Sequence, residues 1–287
     1  MIGMGLGVLA LGFSVVVALR GTRGEVPPKR PAAYKYQEEP VAPALPESHP
    51  SAGDEIEMQS AQAACPDGVE AWWSADWWSA GMAETQVMDS VNSRGFALRN
   101  DISLINDMGG RRAFGFDGQD DFVELEDHTK LRHLPRFTLA AWIKAVSEPR
   151  FRGIVGKIHS QEPRPGYLLN INAEDRLRCD VVENHATSRF GAAVSDIPVA
   201  DNKWHHVACT YDGSQVKVFV DGVQRGSTSY RGVVGVTHEP LVIGKDPFLF
   251  ENRHLKGIID EVAIFSRPLT APELGALMGL TAERCAR

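Results

Sequence analysis

Hydrophobic and polar side chains alternate in short runs from about residue 65 to the end of the chain. In FTLAAWIKA, residues 137–145, Phe137, Leu139 and Ile143 share one face, and Thr138 and Lys144 lie on the other. A period of two residues is typical of a β-strand with one buried face. Further segments rich in β-branched and aromatic residues are also predicted to be strands. They are GYLLNIN, RLRCDVV, WHHVACTY, VKVFVDG, PLVIG and GIIDEVAIF.

Turn and capping residues separate these strands. Asp212-Gly213 and Asp221-Gly222 tolerate positive φ and predict tight hairpins on either side of VKVFV. Near the C-terminus, Thr270 and Glu273 match a capping box with Pro272 in the first turn, which predicts one short helix. Many strands, regular turns and a single terminal helix indicate an all-β fold in which two antiparallel sheets form a sandwich.

The stretch KWHHVACTYDG places Trp204 beside two histidines, which raises the question of a metal site. In a strand, successive side chains point to opposite faces, so His205 and His206 are separated by the sheet. They cannot hold one metal ion together. We therefore interpret the stretch as a framework hairpin.

The first 64 residues have a different character. Residues 2–19 contain no charged side chain, and Val16-Val17-Ala18 offers small residues for a signal peptidase. Basic residues follow this segment instead of preceding it, which is unusual for a signal and leaves an anchor open. Residues 25–64 contain seven prolines and no apolar period, as expected of a disordered linker. We expect a signal peptide or anchor at 1–24, a Pro-rich linker at 25–64 and a folded domain at 65–287, outside the cytoplasm.

Composition and charge exclude one class of partner. The 287 residues carry a net charge of −7, and the basic residues are scattered. Nucleic-acid binding normally needs a basic face, so we expect no such partner. The hydrophobic share of 43% and the charged share of 23% are those of an ordinary globular protein with a sizeable core.

Several longer motifs follow one another in a characteristic order. They are GVEAWWSAD, DSVNSRGFAL, FGFDGQDDFVEL, FTLAAWIKA, KWHHVACTYDGSQVKVFVDGVQRGS, PLVIGKD and GIIDEVAIFSRPLTAPEL. Together they cover about residues 65–280 and resemble the laminin G-like, concanavalin A-like jelly-roll family, which includes the pentraxin-like domains. The resemblance implies a two-sheet antiparallel jelly roll with a short C-terminal helix. It also implies ligands at loops along one edge or on the concave face, but it leaves the ligand open.

Candidate catalytic residues are sparse. Glycoside hydrolases of this architecture carry Glu-x-Asp-x-x-Glu on one strand, so that several acids share a face. No such run occurs in this sequence. Asp260 and Glu261 are adjacent, which predicts opposite faces, and Glu124 and Glu126 have no third acid in phase. We expect a module that binds and does not catalyse.

Acidic residues are concentrated in one turn. Asp117, Asp120 and Asp121 offer oxygen ligands suited to Ca²⁺, and Asp260 starts a closing strand that the jelly roll could bring nearby. A structural calcium on these four residues is one interpretation. A turn with solvated acids, and an Asp260 that accepts backbone hydrogen bonds, is the other and is slightly favoured. A pentraxin type of calcium site is not expected, because Asp246 is the one comparable acid after PLVIG.

Aromatic residues in loops are candidate ligand contacts. Trp77 and Trp78 lie in AWWSADWWSAG, in a loop where the family usually has small polar residues, and an exposed Trp stacks well on a sugar ring. Packing between the sheets explains the same tryptophans equally well. Phe248 and Phe250, with Arg253, form a second candidate of weaker standing.

The four cysteines suit an exported protein with disulfides. In the jelly roll that the resemblance implies, Cys65 opens the domain and Cys285 follows its last helix, so this pair would join the two ends. Cys179 and Cys209 would then pair or remain buried thiols, and three connectivities are open.

Taken together, the sequence predicts a secreted or membrane-tethered module that binds carbohydrate. A protein-adhesion domain is the alternative, and a glycoside hydrolase is less favoured. The expected partner is a glycan or a cell-surface protein, with membrane contact only through the N-terminal segment.

Overall fold

The computed structural model describes residues 65–77, 86–92, 95–107, 110–161, 164–183, 189–248 and 252–285. These residues form a β-rich domain with short helices at Thr129–Arg132 (α1), Ala271–Leu277 (α2) and Ala282–Cys285 (α3), and a 3-10 turn at Ala75–Trp77. The strands are β1 Val69–Trp73, β2 Gln86–Met88, β3 Gly95–Arg99, β4 Ser103–Asp107, β5 Arg111–Asp117, β6 Phe122–Leu125, β7 Phe137–Ala145, β8 Arg152–Ile158, β9 Gly166–Ile171, β10 Arg176–Val182, β11 Phe190–Pro198, β12 His205–Tyr211, β13 Gln215–Val220, β14 Val223–Ser229, β15 Leu241–Ile243 and β16 Lys256–Phe265.

Two antiparallel sheets form the predicted sandwich. Sheet A has the order β14-β13-β12-β7-β16-β5-β4, and β1 also pairs with β16. Sheet B has the order β11-β10-β9-β8-β15-β6-β3-β2. Neighbours in each sheet are often distant in the sequence, as in β7 beside β16, so the fold depends on long-range pairing. The all-β, two-sheet prediction is confirmed.

Alternation along the strands explains where the core lies. In β7, Phe137, Leu139 and Ile143 are fully buried between the sheets, as the period of two predicts. Cys179 of β10 and Cys209 of β12 also point inward, and their disulfide joins sheet B to sheet A with a Cα–Cα distance of 6.0 Å. A hydrophobic core crossed by a disulfide therefore holds the two sheets together.

The predicted hairpins have the expected local geometry. Gly213 has φ +91° at the β12–β13 turn, and the Asp212 carboxylate accepts hydrogen bonds from the backbone of Ser214 and Gln215. Asp221 and Gly222 both have positive φ at the β13–β14 turn. Two consecutive positive φ values suit the twist of a hairpin, which is why Asp-Gly is favoured there.

The C-terminal segment covers the outer face of sheet A. Ala140, Ala208 and Ala263 lie side by side on β7, β12 and β16. Their small side chains leave room for the leucines of α2, among them Leu274 and Leu277, which are buried against them. The capping box of α2 is confirmed, since the Thr270 side chain accepts from the Glu273 N–H and the Glu273 carboxylate accepts from the Thr270 N–H.

A second disulfide joins the two ends of the domain. Cys65 and Cys285 are bonded with a Cα–Cα distance of 5.4 Å across a sequence separation of 220 residues. The pairing of all four cysteines, left open by the sequence, is therefore Cys65–Cys285 and Cys179–Cys209. Two disulfides are typical of extracellular domains.

The predicted N-terminal segment at 1–24 and the linker at 25–64 lie outside the described residues. Within the part of the chain that the structure describes, no helix is long and apolar enough to cross a membrane.

Candidate functional site

The outer face of sheet B carries an open groove of about 400 Å³. Its floor is formed by outward-pointing residues of β8–β11, and its walls come from the β7–β8, β8–β9 and β15–β16 loops. The lining residues are Phe151, Ile158, Arg164, Asn170, Arg178, Asp180, Val182, Phe190, Asp246 and Arg253. We call this the sheet-B groove. Its volume lies in the range of small-ligand sites.

Strand register arranges the groove floor in rows. Arg178 of β10 lies beside Asn170 of β9, and Val182, four residues further along β10, lies beside Phe190 of β11. Asp180 lies between these two rows, on the same outward face because side chains alternate. The floor is therefore polar at the Arg178 end and apolar at the Phe190 end.

Gly153 brings the β15–β16 loop onto the floor. A Cβ at this position would lie 2.0 Å from the carbonyl carbon of Lys245, so only glycine lets the two backbones pass this closely. The Gly153 N–H donates to the Arg253 carbonyl at 3.1 Å, and the Asp246 N–H donates to the same carbonyl at 3.2 Å. This contact places Asp246 and Arg253 at the edge of the groove.

Guanidinium groups and phenyl rings alternate along the wall. The Arg253 guanidinium lies 4.3 Å from the ring centroid of Phe248 and 5.1 Å from that of Phe151. Arg164 lies 4.9 Å from the Phe248 centroid, and Arg178 lies 5.8 Å from the Phe151 centroid. Such cation–π contacts, together with the ion pairs of the same arginines, hold the long side chains in fixed positions.

Each guanidinium of the wall also bonds to a carboxylate. Asp246, which is buried, accepts from Arg253 at 2.8 Å and from Arg164. Asp180 accepts from Arg178 through both Nε and Nη2 and from the Asn170 amide at 2.8 Å. The Asn170 side chain is buried, and its Oδ1 has no hydrogen-bond partner among the described residues. The groove therefore offers adjacent donors and acceptors that are positioned before any ligand binds.

The structure describes the side chains of only some of the predicted ligand contacts. Of the second candidate loop, Arg253 lines the sheet-B groove, and Phe248 packs against the Arg253 guanidinium without being one of the lining residues. Trp77 ends the 3-10 turn after β1, but its side chain lies outside the described residues. Trp78 and Phe250 also lie outside them.

Three of the four predicted calcium ligands come together. Carboxylate oxygens of Asp117, Asp120 and Asp121 lie within 4.8 Å of one another in the β5–β6 turn. Asp121 is 3% exposed; its Oδ2 accepts from the Asp117 N–H at 2.9 Å, and its Oδ1 has no partner among the described residues. Arg150 donates to the Gly118 carbonyl at 2.8 Å, which brings a positive charge close to the cluster.

Asp260 does not join this cluster, which corrects the four-residue calcium interpretation and agrees with the alternative in which Asp260 accepts backbone hydrogen bonds. Lys256 pairs with Asp117 across β16 and β5, and Asp260 lies four residues further along β16, roughly 13 Å away. There it is fully buried and accepts from the Ala75 N–H at 3.1 Å and from Arg111. Its carboxylate anchors the segment after β1.

A second correction concerns Asp260 and Glu261, which were expected on opposite faces. Both carboxylates contact the Arg111 guanidinium, because β16 has a bulge at this point and Glu261 has φ +50°. Glu261 also accepts from the Trp72 indole N–H at 2.5 Å and from the Ala282 N–H at 2.8 Å. Burial, with the neighbouring Asp260 charge, raises the pKa of Glu261 to about 7, and burial raises that of Asp260 to about 6.

This acid pair is buried and joins both ends of the domain to sheet A. Asp260 and Glu261 are 0% and 4% exposed. Their partners lie at the start of the domain, on β5 and at α3. Raised pKa values are common at catalytic sites, but here they accompany complete burial.

The two histidines of the framework hairpin are separated as predicted. His206 is buried on the outer face of sheet A with its ring 5.4 Å from that of Trp142, and burial lowers its pKa to about 4. His205 bonds to Asp221 at 2.8 Å and to Asp201 at 3.2 Å. Both ring nitrogens of His205 are therefore used within the protein.

The two-sheet antiparallel sandwich is the fold of the concanavalin A-like superfamily, and a family model confirms the membership. The laminin G-like model described as the concanavalin A-like lectin/glucanases superfamily matches residues 117–275. The chain belongs to this superfamily. No curated protein matches it in sequence.

Solved structures with the same fold include a domain of an arabinanase and two toxin binding domains. One is domain 4 of AbnA, a GH43 extracellular arabinanase from Geobacillus stearothermophilus, in complex with arabinotriose; it has a TM-score of 0.56 and 18% identity, and the match covers 73% of this chain and 97% of that one. The binding domain of Paraclostridial Mosquitocidal Protein 1 has a TM-score of 0.56 and 12% identity over 74% of this chain and 52% of that one. The binding domain of botulinum neurotoxin DC, in complex with SialylT, has a TM-score of 0.54 and 13% identity, and the match covers 74% of this chain and 51% of that one. The chain spans about half the length of the two toxin domains.

Sequence reasoning did not identify most of the groove. Arg178 and Asp180 lie in RLRCDVV, where alternation places them opposite the inward Cys179. Charged residues on an outward face usually meet only solvent, so this pattern alone does not indicate a site. Phe151 and Arg164 come from separate loops, and only the fold brings them together.

Proposed function

We propose that this chain is a non-catalytic carbohydrate-binding module and that the sheet-B groove holds the glycan. The observation that carries the proposal is the row of Arg178, Asp180 and Asn170, which offers donors and acceptors side by side. Sugar hydroxyls both donate and accept hydrogen bonds, so they match such a row. Because ion pairs and phenyl rings already hold the side chains, little ordering entropy is lost on binding.

Two of the structures with this fold support the ligand class. By their descriptions, the AbnA domain is in complex with arabinotriose and the neurotoxin DC domain is in complex with SialylT. At 18% and 13% identity they share only the fold with this chain, so the groove residues remain the main support.

The carboxylates support binding over catalysis. A glycosidase needs one protonated acid and one free carboxylate facing the sugar. In the groove, Asp180 and Asp246 are both bonded to guanidinium groups. Asp260 and Glu261, whose pKa values are raised to about 6 and 7, are buried beneath Trp72 and α3. Asp121, whose pKa burial also raises, lies in the β5–β6 turn outside the groove lining.

A glycan array with the full chain, followed by calorimetry on the best ligand, tests the proposal. We expect Arg178→Ala to lower the affinity by about tenfold or more, since hydrogen bonds to charged groups contribute about 1.5–3 kcal/mol. Arg99→Ala is the matched control, because Arg99 pairs with Glu124 at 2.7 Å on the same sheet but outside the groove. Equal losses in both variants, or no glycan bound by the native chain, would refute the proposal.

We also propose a weak structural calcium site at Asp117, Asp120 and Asp121. Three carboxylates within 4.8 Å of one another fit the oxygen ligands that Ca²⁺ prefers, and water would complete the coordination. The nearby Arg150 reduces the negative potential, so the expected affinity is that of extracellular modules. The bound Ca²⁺ would stabilise the β5–β6 turn.

We further propose that the domain works outside the cytoplasm, delivered or tethered by residues 1–24 with 25–64 as a spacer. The two disulfides support this location, because such bonds persist in oxidising compartments. Fractionation of the native host, with the domain detected in the medium or on the cell surface, tests it; a domain found only inside the cytoplasm contradicts it.

A further inference from the structure

The sheet-B groove has two chemically different ends. At one end, Val182 lies beside Phe190 on the floor, and Ile158 and Val182 belong to a small apolar cluster. Phe190 is 55% exposed, among the most exposed large hydrophobic side chains of the described residues. At the other end, Arg178 lies beside Asn170.

The distance between the ends constrains the size of the ligand. Val182 and Arg178 are four residues apart on β10, which corresponds to about 13 Å along the strand. Asp180 lies midway, about 7 Å from each row. This floor is longer than one sugar ring, so a ligand that contacts both ends contains at least two sugar units.

Every guanidinium of the groove is bonded to a carboxylate, although three arginines and two aspartates leave the lining with a net charge of +1. Arg178 is bonded to Asp180, and Arg164 and Arg253 are both bonded to Asp246. An anionic ligand would have to displace one of these carboxylates or lie beside it, and like charges at close range are costly. A neutral hydroxyl can instead donate to a carboxylate oxygen and accept from a guanidinium without breaking an ion pair.

From this arrangement we infer that the groove takes an uncharged oligosaccharide and that Phe190 is the aromatic seat for one of its pyranose rings. The apolar C–H face of that ring packs on Phe190 and Val182. Hydroxyls of the same ring and the next one bond to Asp180, Arg178 and Asn170. This inference rests on the proposed carbohydrate-binding function and names the class of sugar and the residue that orients it.

The orphan acceptor of Asn170 is consistent with this orientation. Its Nδ2 is used by Asp180, and its Oδ1 has no partner among the described residues. This oxygen is enclosed in the ligand-free protein, and buried acceptors without a partner are costly, so a donor that reaches it after a shift of the neighbouring side chains stabilises the complex. A sugar hydroxyl is such a donor, whereas a carboxylate or sulfate group is not.

The experiment uses the full chain and sets of neutral and acidic oligosaccharides, with binding measured at low and high salt, about 0.05 and 0.5 M. We expect neutral oligosaccharides to bind best, with affinities that change less than about twofold between these salt concentrations, because an uncharged ligand forms no ion pair with the groove. Phe190→Ala should lower the affinity by about tenfold, and Phe190→Trp should bind with an affinity close to that of the native chain, because an aromatic ring is kept.

Val223→Ala is the matched control, because Val223 is 51% exposed on β14 and does not line the groove. Thermal unfolding of each variant checks the fold, and Phe190→Leu, which keeps an apolar side chain but removes the ring, is the second variant. An effect of Phe190→Ala no larger than that of Val223→Ala, or full affinity in Phe190→Leu, overturns the aromatic seat. Tighter binding of acidic glycans, weakened by salt, overturns the neutral class but leaves the proposed function intact. If no glycan binds under either condition, the proposed function itself fails.

Discussion

Replacing Glu261 with Gln removes one ionisable group from the most deeply buried acid pair of the domain. Glu261 shares the Arg111 guanidinium with Asp260 and accepts from Trp72 and the Ala282 N–H. Burial, with the neighbouring Asp260 charge, raises its pKa from 4.5 to about 7. Glutamine has the shape of the protonated acid: its oxygen can still accept from the Trp72 and Ala282 N–H groups, while its amide nitrogen replaces the oxygen that accepts from Arg111, as the protonated oxygen of the acid does, and the charge is lost.

The raised pKa sets the sign of the effect. A folded state that holds its proton more tightly than the unfolded state gains stability as the pH falls, and it loses that stability as the pH rises through the folded pKa. A pKa raised from 4.5 to about 7 corresponds to a total loss of about 3 kcal/mol in the free energy of unfolding as the pH rises, and most of this loss is expected between pH 5 and pH 8.5. The Glu261→Gln substitution should therefore be close to neutral at pH 5 and should stabilise the domain by about 2–3 kcal/mol at pH 8.5.

Urea unfolding of the native chain and of Glu261→Gln, at several values between pH 5 and 8.5, measures this difference. His206 and His254 also affect stability, since burial lowers the pKa of each to about 4 and their protonation disfavours the fold below about pH 6.5. Both histidines are present in both proteins, so their contribution cancels in the difference. A difference that is independent of pH, or a variant that becomes less stable as the pH rises, would refute the reasoning.

Three further predictions concern the disulfide, the acidic turn and the groove wall. Replacing Cys65 and Cys285 with Ser should lower the free energy of unfolding by up to about 5 kcal/mol, because the bond closes a loop with a sequence separation of 220 residues; a loss under about 1 kcal/mol in denaturant titrations would contradict this. Calcium at millimolar concentration should raise the melting temperature of the native chain and leave that of Asp121→Asn unchanged. If EDTA does not change the melting temperature of the native chain, the proposed calcium site is wrong. Gly153→Ala should destabilise the domain by about 1–3 kcal/mol and weaken glycan binding, because its Cβ meets the Lys245 backbone at 2.0 Å. Gly275→Ala in α2, where a Cβ meets nothing within 4 Å, is the control and should stabilise slightly, so equal effects would contradict the packing argument.

Local patterns in the sequence were sufficient for most of the framework. The alternation in 137–145 predicted β7 with its observed bounds, and the Asp-Gly pairs predicted the hairpins around β13. These features depend on residues close in sequence, whose preferences are set by backbone geometry.

The bulge at Asp260 and Glu261 shows where such patterns fail. One edge of β16 pairs with β5 over Lys256–Ile259 and with β1 over Val262–Phe265, and the two acids lie at the junction. Regular alternation predicts opposite faces, but the change of partner strand bends the chain and turns both carboxylates towards Arg111. A pairing between residues 69 and 265 is not visible in either local sequence.

The groove itself was not predicted, for the same reason. Phe248, Phe250 and Arg253 were named only as a second candidate loop; Arg253 lines the groove, and Phe248 packs against its guanidinium. Arg178 and Asp180 were indistinguishable from solvated surface residues. Their position beside Asn170 depends on sheet register, which a single sequence does not specify.

The most direct test of the central claim is a crystal structure of the full domain with the best neutral oligosaccharide from the array. We predict that the sugar lies in the sheet-B groove, with one ring on Phe190 and hydroxyls bonded to Asp180 and Arg178. A sugar bound elsewhere on the domain, with the groove empty, would contradict the account.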